Sequence, residues 1–400
     1  SDLVKYINRF PKGKSESYSQ LLDATTGRVL LQDNGFLTNA RWMPKSNLLY
    51  YTRKGLNGKE LITVDPTNMR ETVLVDNLPE GTFKFTPDEA SLLFTIEEEG
   101  PKEGNELIRV LEPNDRLPGF RDRSFIWRYD LRSGLYEQLT FGYQDTYIND
   151  ISADGRYLLF SIDENTYTEL PHTRSSLYKM DLTNMAVDTI WEKAPYVNQA
   201  AFSPDRKQLL VTGSGDAFDG IGLNIKEGQL SNDFDGQLFI YNLTDHKATP
   251  LTKDFNPNVM NAVWNRYDGQ IYILTEDQDC QYIYTCNPVN GKIKQIVTSE
   301  EVISGYSLAN AAPVLFYYGQ SASNANRLYA YDLKGGKSKL MYDLSSDKLK
   351  DIVLGEVHDW NFTSDDGTTI QGRYYLPPHF DPSKKYPMIV YYYGGTARTN

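Results

Sequence analysis

The chain has 400 residues, too many for one ordinary domain and enough for two domains or one repeat architecture. Its 41 Lys and Arg residues against 53 Asp and Glu residues give a formal net charge of −12. This charge argues against a nucleic-acid-binding protein, because that function needs a basic face. Aromatic residues make up 13% of the chain, led by 29 tyrosines, which favours β-strands. The longest apolar run, Met388 to Tyr393, is too short to span a membrane.

One sequence pattern recurs along the chain: apolar residues, a turn of Pro-Asp or Asp-Gly type, and apolar residues again. Asp-Gly and Pro-Asp supply turn dihedral angles, so each copy predicts a β-hairpin. Five clear copies and a sixth, degenerate one begin at Arg41, Phe85, Ser152, Phe202, Trp264 and Ser307.

A second predicted hairpin, with an Asp or Asn opening its turn, alternates with the first. The openers are Asp23, Asp65, Asp130, Asp181, Asn242, Asn287 and Asp332. Their spacing is 42 to 45 residues where no long insertion intervenes, and four strands in such a period are typical of a β-propeller blade. The sequence therefore predicts a mostly β protein with a seven-bladed β-propeller over residues 1–343.

The first blade is predicted to be incomplete, because residues 17–32 form a second hairpin with no first hairpin before them. A propeller ring has no stable open end. We therefore expect the missing strands either upstream of Ser1 or in residues 344–356, which otherwise form a linker. The alternative is that residues 1–40 form an irregular cap.

Three insertions interrupt the repeat, at residues 97–123, 166–174 and 213–236. Loops of this length usually carry function or contacts. Residues 232–236 (Asn-Asp-Phe-Asp-Gly) resemble part of a calcium loop, but no Glu follows at the closing position, so they are interpreted as a propeller turn. The sequence predicts no cofactor and no metal site. Cys280 and Cys286 fall in one predicted strand, where they cannot bridge.

After Asp343 the repeat stops and the sequence changes character. A hairpin and a strand are predicted between residues 357 and 376. The apolar run Met388 to Tyr393, followed by Gly394-Gly395, predicts a buried sheet strand. Such a strand needs neighbouring strands and covering helices. We therefore expect the chain to be a fragment of a longer protein.

A propeller followed by Asp366-Gly367, Tyr374 to Pro378 and Tyr386 to Gly395 resembles the prolyl oligopeptidase family of serine peptidases, which includes dipeptidyl and acylaminoacyl peptidases. The resemblance implies that residues 357–400 begin an α/β-hydrolase domain. It also implies a whole protein that hydrolyses short peptides through an acyl-enzyme, with the propeller gating access. The catalytic Ser, Asp and His would follow residue 400, so this fragment alone would be inactive.

The resemblance also assigns candidate site residues. Tyr393, before Gly394-Gly395, matches the tyrosine that donates its hydroxyl to the oxyanion, although Thr396 departs from the proline that usually follows in acylaminoacyl peptidases. Its alternative role is a buried tyrosine at a strand end.

Four residues of the first insertion are further substrate-binding candidates. Glu97 and Glu98 could hold the free amino terminus of a peptide, with a solvated acidic loop as the alternative. Arg121 and Arg123 could bind a substrate carboxylate or carbonyl group, because the guanidinium fork matches such groups. A structural salt bridge is the alternative for these arginines.

Two other function classes stay open at this point. One is a TolB-like or WD-type propeller that binds a protein or a glycan, although such a scaffold has no reason to carry residues 357–395. The other is a pseudopeptidase that has lost its nucleophile.

Short peptides are the expected partners, with no nucleic acid and no membrane span. The high tyrosine and low cysteine content fits a periplasmic or secreted peptidase, and fits a cytoplasmic one nearly as well.

Overall fold

The structure is a computed structural model that describes residues 3–9, 15–101, 107 and 109–392, with side chains from residue 18 onward. Nearly every regular element in these ranges is a β-strand. The chain divides into two compact units, residues 33–256 and residues 1–32 together with 257–400. Within the described ranges, no helix is long and apolar enough to cross a membrane.

The chain begins with a three-stranded N-terminal sheet in the order β1-β2-β3. Its strands are β1 (Leu3–Arg9), β2 (Ser15–Leu22) and β3 (Val29–Asp33). The hairpin predicted around Asp23 is formed by β2 and β3, whereas β1 is a strand that the hairpin pattern did not predict. Within the described residues, this first repeat therefore lacks one strand of four, not two.

Residues 33–256 fold into four antiparallel meanders, numbered 1 to 4, in which each strand pairs with the next. Meander 1 contains β4 (Arg41–Trp42), β5 (Leu49–Lys54), β6 (Lys59–Asp65) and β7 (Arg70–Leu78). Meander 2 contains β8 (Thr82–Phe85), β9 (Ser91–Glu98), β10 (Arg123–Asp130) and β11 (Tyr136–Gln138). Meander 3 contains β12 (Thr146–Ile151), β13 (Tyr157–Asn165), β14 (Thr173–Asp181) and β15 (Val187–Ala194). Meander 4 contains β16 (Val197–Phe202), β17 (Gln208–Ser214), β18 (Gly236–Asn242) and β19 (Lys247–Pro250). Short helical turns lie at Phe36–Thr38, Pro113–Arg116 and α1 (Ala217–Gly220).

The second unit adds two more meanders and a C-terminal hairpin. Meander 5 contains β20 (Asn258–Trp264), β21 (Ile271–Asp277), β22 (Cys280–Cys286) and β23 (Ile293–Gln295). Meander 6 contains β24 (Val302–Leu308), β25 (Val314–Ser321), β26 (Asn324–Asp332) and β27 (Lys337–Asp343). A single parallel bridge between Gln281 and Val302 joins these two meanders. The helical turn α2 (Ser346–Leu349) and the hairpin of β28 (Val357–Thr363) and β29 (Thr369–Tyr375) follow.

The second hairpins turn where the sequence predicted, because Asp and Asn side chains accept hydrogen bonds from the backbone two residues further on. Asp181 Oδ1, for example, accepts from the backbone N–H of Thr183 at 2.9 Å. All seven predicted openers make this bond: Asp23, Asp65, Asp130, Asp181, Asn242, Asn287 and Asp332.

Successive meanders within each unit bury their faces against one another. Leu159 and Leu177 of meander 3, for example, share an apolar cluster with Val211 and Phe239 of meander 4. Similar clusters join meanders 1 and 2, 2 and 3, and 5 and 6. The central strands are therefore apolar on both faces, and residues 92–94 of β9 have no exposed surface. Four-stranded sheets stacked face to face in this way are the building blocks of a propeller.

Residues 344–356 supply no closing strand. They form α2 and otherwise irregular backbone, so the expectation that this segment completes the first blade is wrong. The N-terminal sheet nevertheless lies beside meander 6 within the same unit. The Lys339 ammonium donates to the carbonyl of Thr25, and a Cβ on Gly27 would lie 3.2 Å from the carbonyl oxygen of Met341.

The buried strand predicted at Met388 to Tyr393 is not formed in its described part, residues 388–392. The side chains of Met388 and Ile389 are 83% and 95% exposed. A strand needs a partner for its backbone N–H and C=O groups, and no described residue supplies one here. Tyr393 itself lies outside the described residues.

Candidate functional site

The four candidate substrate-binding residues of the first insertion lie at one end of the β9–β10 hairpin. Glu97 and Glu98 end β9, where they pair with Ser124 and Arg123 of β10. Arg121 lies two residues before that strand. Antiparallel pairing thus brings together acidic and basic side chains from the two ends of the insertion, although the loop between them is long.

The two glutamates project into solvent. Both are exposed, and neither carboxylate has a hydrogen bond or an ion pair with any described residue. Carboxylates without internal partners can accept hydrogen bonds from the amino group of a ligand, and no internal bond has to break first. The same exposure is expected of a solvated acidic loop, the alternative drawn from the sequence.

Arg121 pairs with an internal carboxylate. Its Nε and Nη2 atoms lie 2.7 Å from the two carboxylate oxygens of Asp115, and Nη2 also donates to the Arg109 carbonyl at 2.6 Å. The Asp115 side chain is only 2% exposed. The Arg121 hydrogen bond, followed by the Leu111 backbone N–H, lowers the pKa of Asp115 to about 2. This bidentate pair agrees with the alternative interpretation of Arg121 as one half of a structural salt bridge. Its partner, Asp115, was not identified from the sequence.

Arg123 binds backbone carbonyls. Nη1 donates to Phe120 and Asp122 at 2.7 Å each, and Nε donates to Tyr143 at 2.6 Å. Tyr143 belongs to the connection between β11 and β12, and its side chain is almost fully exposed. Arg123 therefore ties the first insertion to that connection, and it forms no ion pair within 4 Å with a described carboxylate.

An open cleft of about 230 Å³ lies on this insertion, lined by residues 100–101, 115, 117 and 119–122. The second insertion contacts the first, since Asn114 Nδ2 lies 3.5 Å from the hydroxyl of Tyr167. A hydrogen bond to Glu112 raises the pKa of that hydroxyl. The first two insertions thus form one continuous surface on meanders 2 and 3.

The third insertion, between β17 and β18, contains polar groups that the sequence pattern did not single out. Asp216 Oδ1 accepts a hydrogen bond from Ser231 Oγ at 2.9 Å. Asp235 is half-buried, and burial raises its pKa. Gln237 is 7% exposed. Because these contacts form only when the loop folds back on itself, local sequence spacing carries little signal for them.

In the second unit, one arginine attaches the C-terminal hairpin to the meanders. Arg373 of β29 pairs with Asp279, in the turn between β21 and β22, and with Glu301, just before β24. Its side chain is 17% exposed. Burial alone would lower the pKa of Arg373, but hydrogen bonds to Glu301 and Asp279 outweigh it and raise the pKa.

The described residues contain no group of three or more His, Cys, Asp or Glu side chains arranged around a metal ion. Cys280 and Cys286 lie at opposite ends of the same strand, β22, as the sequence predicted.

Comparison with known proteins adds a direct relative. The chain is 26% identical over 253 residues to dipeptidyl-peptidase 5 of Porphyromonas gingivalis, which covers 62% of this chain and 34% of that protein. The resemblance to the prolyl oligopeptidase family is confirmed. No protein-family model matches the chain. The chain spans about a third of the length of this curated relative.

Solved structures show the shared fold. An acylaminoacyl peptidase of Pyrococcus horikoshii matches with a TM-score of 0.66 and 14% identity, over 96% of this chain and 57% of that one. The β-propeller domain of the trilobed protease of Pyrococcus furiosus matches with a TM-score of 0.55 and 14% identity, over 86% and 93% of the two chains. The predicted mostly β fold with propeller relatives is thereby confirmed, whereas the count of seven blades stays a prediction.

Proposed function

We propose that this chain is the propeller portion of a serine peptidase that hydrolyses short peptides through an acyl-enzyme. The observation that carries this proposal is the sequence relationship to a dipeptidyl peptidase over 253 residues. Six meanders and the N-terminal sheet would form a seven-bladed ring, which gates access of substrates to the catalytic centre. A gate of this kind admits only small or unfolded substrates.

Residues 357–400 would begin the α/β-hydrolase domain of that peptidase. The exposed apolar side chains in this region support the proposal, because a packed domain would cover them. Trp360 and Tyr375 of the hairpin are 51% and 66% exposed, and Met388 and Ile389 are more exposed still. Tyr393 would donate its hydroxyl to the oxyanion of the tetrahedral intermediate, where one good donor contributes about 3–4 kcal/mol. The triad of Ser, Asp and His would come from the rest of the hydrolase domain.

The insertions are suited to line the entrance for substrates. All three connect the second and third strands of their meanders, at β9–β10, β13–β14 and β17–β18. Equivalent connections lie at equivalent ends of propeller blades. This supports a shared role for the three insertions, in which Glu97, Glu98, Arg121 and Arg123 would contact the substrate.

The test is active-site labelling with a fluorophosphonate, which reacts with activated serines. Two proteins are compared: this chain, and the natural polypeptide that carries it together with the proposed hydrolase domain. We expect only the longer protein to be labelled, and we expect labelling to disappear when the serine of its Gly-x-Ser-x-Gly motif is replaced by Ala. In the longer protein, Tyr393→Phe should lower kcat about 10²–10³-fold, while the neighbouring Tyr392→Phe leaves it unchanged.

Folded proteins that both fail to label would overturn the proposal. A longer protein without Gly-x-Ser-x-Gly would favour a pseudopeptidase. A binding scaffold would be favoured if no hydrolase domain follows the propeller.

A further inference from the structure

The third insertion begins with a strained left-handed turn. Phe218 has a φ of 54° and a ψ of 53°, Asp219 has a φ of 61° and a ψ of 32°, and Gly220 follows with a φ of 76°. Glycine adopts this conformation readily, whereas a residue with a side chain is disfavoured there, because its Cβ approaches the following carbonyl oxygen. Two such residues in succession persist only where surrounding contacts hold them.

The contact that holds the turn is made by the ring of Phe218. Its centroid lies 5.7 Å from the Trp191 ring of meander 3. The Phe239 and Tyr241 rings of meander 4 lie 5.4 Å and 5.9 Å away. This packing has an unfavourable side, since Trp191 Nε1 is buried without a hydrogen-bond partner among the described residues. Water would satisfy that N–H if the Phe218 ring withdrew.

The rest of the insertion buries little surface. Every residue from 224 to 234 except Ser231 is exposed. Surface hydrogen bonds tie this segment down: Asn224 Nδ2 donates to Asp254 Oδ1 at 3.1 Å, and Ser231 Oγ donates to Asp216 Oδ1 at 2.9 Å. Most residues of β17 and β18, by contrast, are buried. A segment with few buried contacts opens at a lower free energy than the sheet that carries it.

We propose that residues 216–235 form a strap that opens and closes while the sheet beneath it stays folded. In the closed strap, the Phe218 ring packs on the three aromatic rings, and this packing offsets the backbone strain and the unpaired indole N–H of Trp191. In the open strap, Phe218 withdraws, Asp219 relaxes out of the left-handed region, and the indole N–H is hydrated. Opening uncovers the aromatic rings between meanders 3 and 4. The strap is a property of this chain and requires no catalytic activity.

The test is hydrogen exchange of the Leu223 amide, which donates to the Gly220 carbonyl at 3.1 Å and so closes the turn. We expect this amide to exchange at least about tenfold faster than the amides that pair β17 with β18. Its exchange should respond only weakly to dilute urea, because a local opening exposes little surface. The paired amides of the sheet should show the stronger urea response of global unfolding.

Variants of Asp219 separate backbone strain from charge. Asp219→Gly should slow exchange of the Leu223 amide about threefold or more, because glycine fits the left-handed turn. Asp219→Val should accelerate it about tenfold, because a β-branched residue is strongly disfavoured there. Phe218→Ala, which removes the ring contact, should also accelerate it. Asp233→Gly and Asp233→Val are the matched controls: Asp233 is exposed in the same insertion and has no positive φ, so neither should change the rate.

Two results would overturn the strap. If Asp219→Gly and Asp219→Val shift exchange in the same direction, the lost carboxylate and not the strained backbone controls the turn. If the Leu223 amide of the parent chain exchanges as slowly as the sheet and with the same urea response, the insertion opens only when the whole unit unfolds. Should Phe218→Ala fail to fold, the parent chain and the Asp219 variants still decide between these outcomes.

Discussion

Glu300 shows how a single buried carboxylate organises the end of a meander. Its side chain is 1% exposed. It accepts hydrogen bonds from the Tyr329 hydroxyl at 2.6 Å, from Asn324 Nδ2 at 3.0 Å and from the Ser321 hydroxyl, and Arg327 lies 3.6 Å away. Such a network stabilises the protein only while every member keeps its partner.

Replacing Glu300 therefore tests that network. We expect Glu300→Ala to lower the free energy of unfolding by about 3 kcal/mol, because it leaves the donors of Tyr329, Asn324 and Ser321 without their acceptor at a cost of about 1 kcal/mol each. Glu300→Gln keeps an acceptor oxygen and should cost less. Urea unfolding measures both, with the exposed Glu192→Ala as a control that should stay within about 0.5 kcal/mol of the parent. Equal losses for Glu300→Ala and Glu192→Ala would contradict the role assigned to Glu300.

The pair of Asp115 and Arg121 predicts a pH dependence in the first insertion. The pKa of Asp115 falls from 3.8 to about 2 in the folded loop, so its stabilisation is complete above about pH 4 and is lost as the pH falls towards 2. The Leu111 amide, which donates to Asp115 at 2.9 Å, should therefore lose protection from hydrogen exchange in that range. The exchange rate of the Leu111 amide is corrected for the intrinsic pH dependence of exchange. It is then compared with the corrected rate of the Leu117 amide, which donates to the Asn114 carbonyl. In Asp115→Asn the Leu111 amide should already be less protected at pH 7, and a pH response that survives this substitution would refute the assignment.

At the scale of elements, the C-terminal hairpin depends on ion pairs more than on apolar packing. Most residues of β28 and β29 are exposed, so the hairpin buries little apolar surface. Arg373 is among the few partly buried residues of the hairpin, and it reaches carboxylates on two separate connections. A partly buried guanidinium that pairs with two carboxylates fixes geometry as well as contributing energy.

Removing this arginine should loosen the hairpin and leave the meanders intact. We expect Arg373→Gln to accelerate hydrogen exchange of β28 and β29 at least about tenfold, and we expect high salt to produce part of the same effect in the parent chain. Arg53→Gln is the matched control, because Arg53 also pairs with two carboxylates, Glu60 and Glu71, but within meander 1. If the hairpin exchanges equally in both variants, the anchoring role of Arg373 is wrong.

At the scale of the whole molecule, the repeat was predictable because its determinants are local. Each turn is specified by an Asp or Asn that bonds to its own backbone, as Asp181 does to Thr183. Features that no repeated turn motif marks escaped the sequence: the strand β1, the Asp115 partner of Arg121, and the packing of Gln237. The strand predicted at residues 388–393 is not formed over 388–392, because apolar composition does not make a strand without a neighbour to pair with.

The same reasoning predicts how the two ends of the chain depend on each other. The N-terminal sheet contacts meander 6 through Thr25 and Lys339 and through Gly27 and Met341, and Met341 is 7% exposed. Removing residues 1–32 would uncover this face of β27. We therefore expect hydrogen exchange to accelerate in β26 and β27 of the truncated chain, while β13 of meander 3 keeps its protection. Lys339→Gln, which removes only the bond to Thr25, should produce a smaller change in the same strands. Uniform loss of protection in all meanders would instead mean that the N-terminal sheet stabilises the molecule globally, without a specific contact to meander 6.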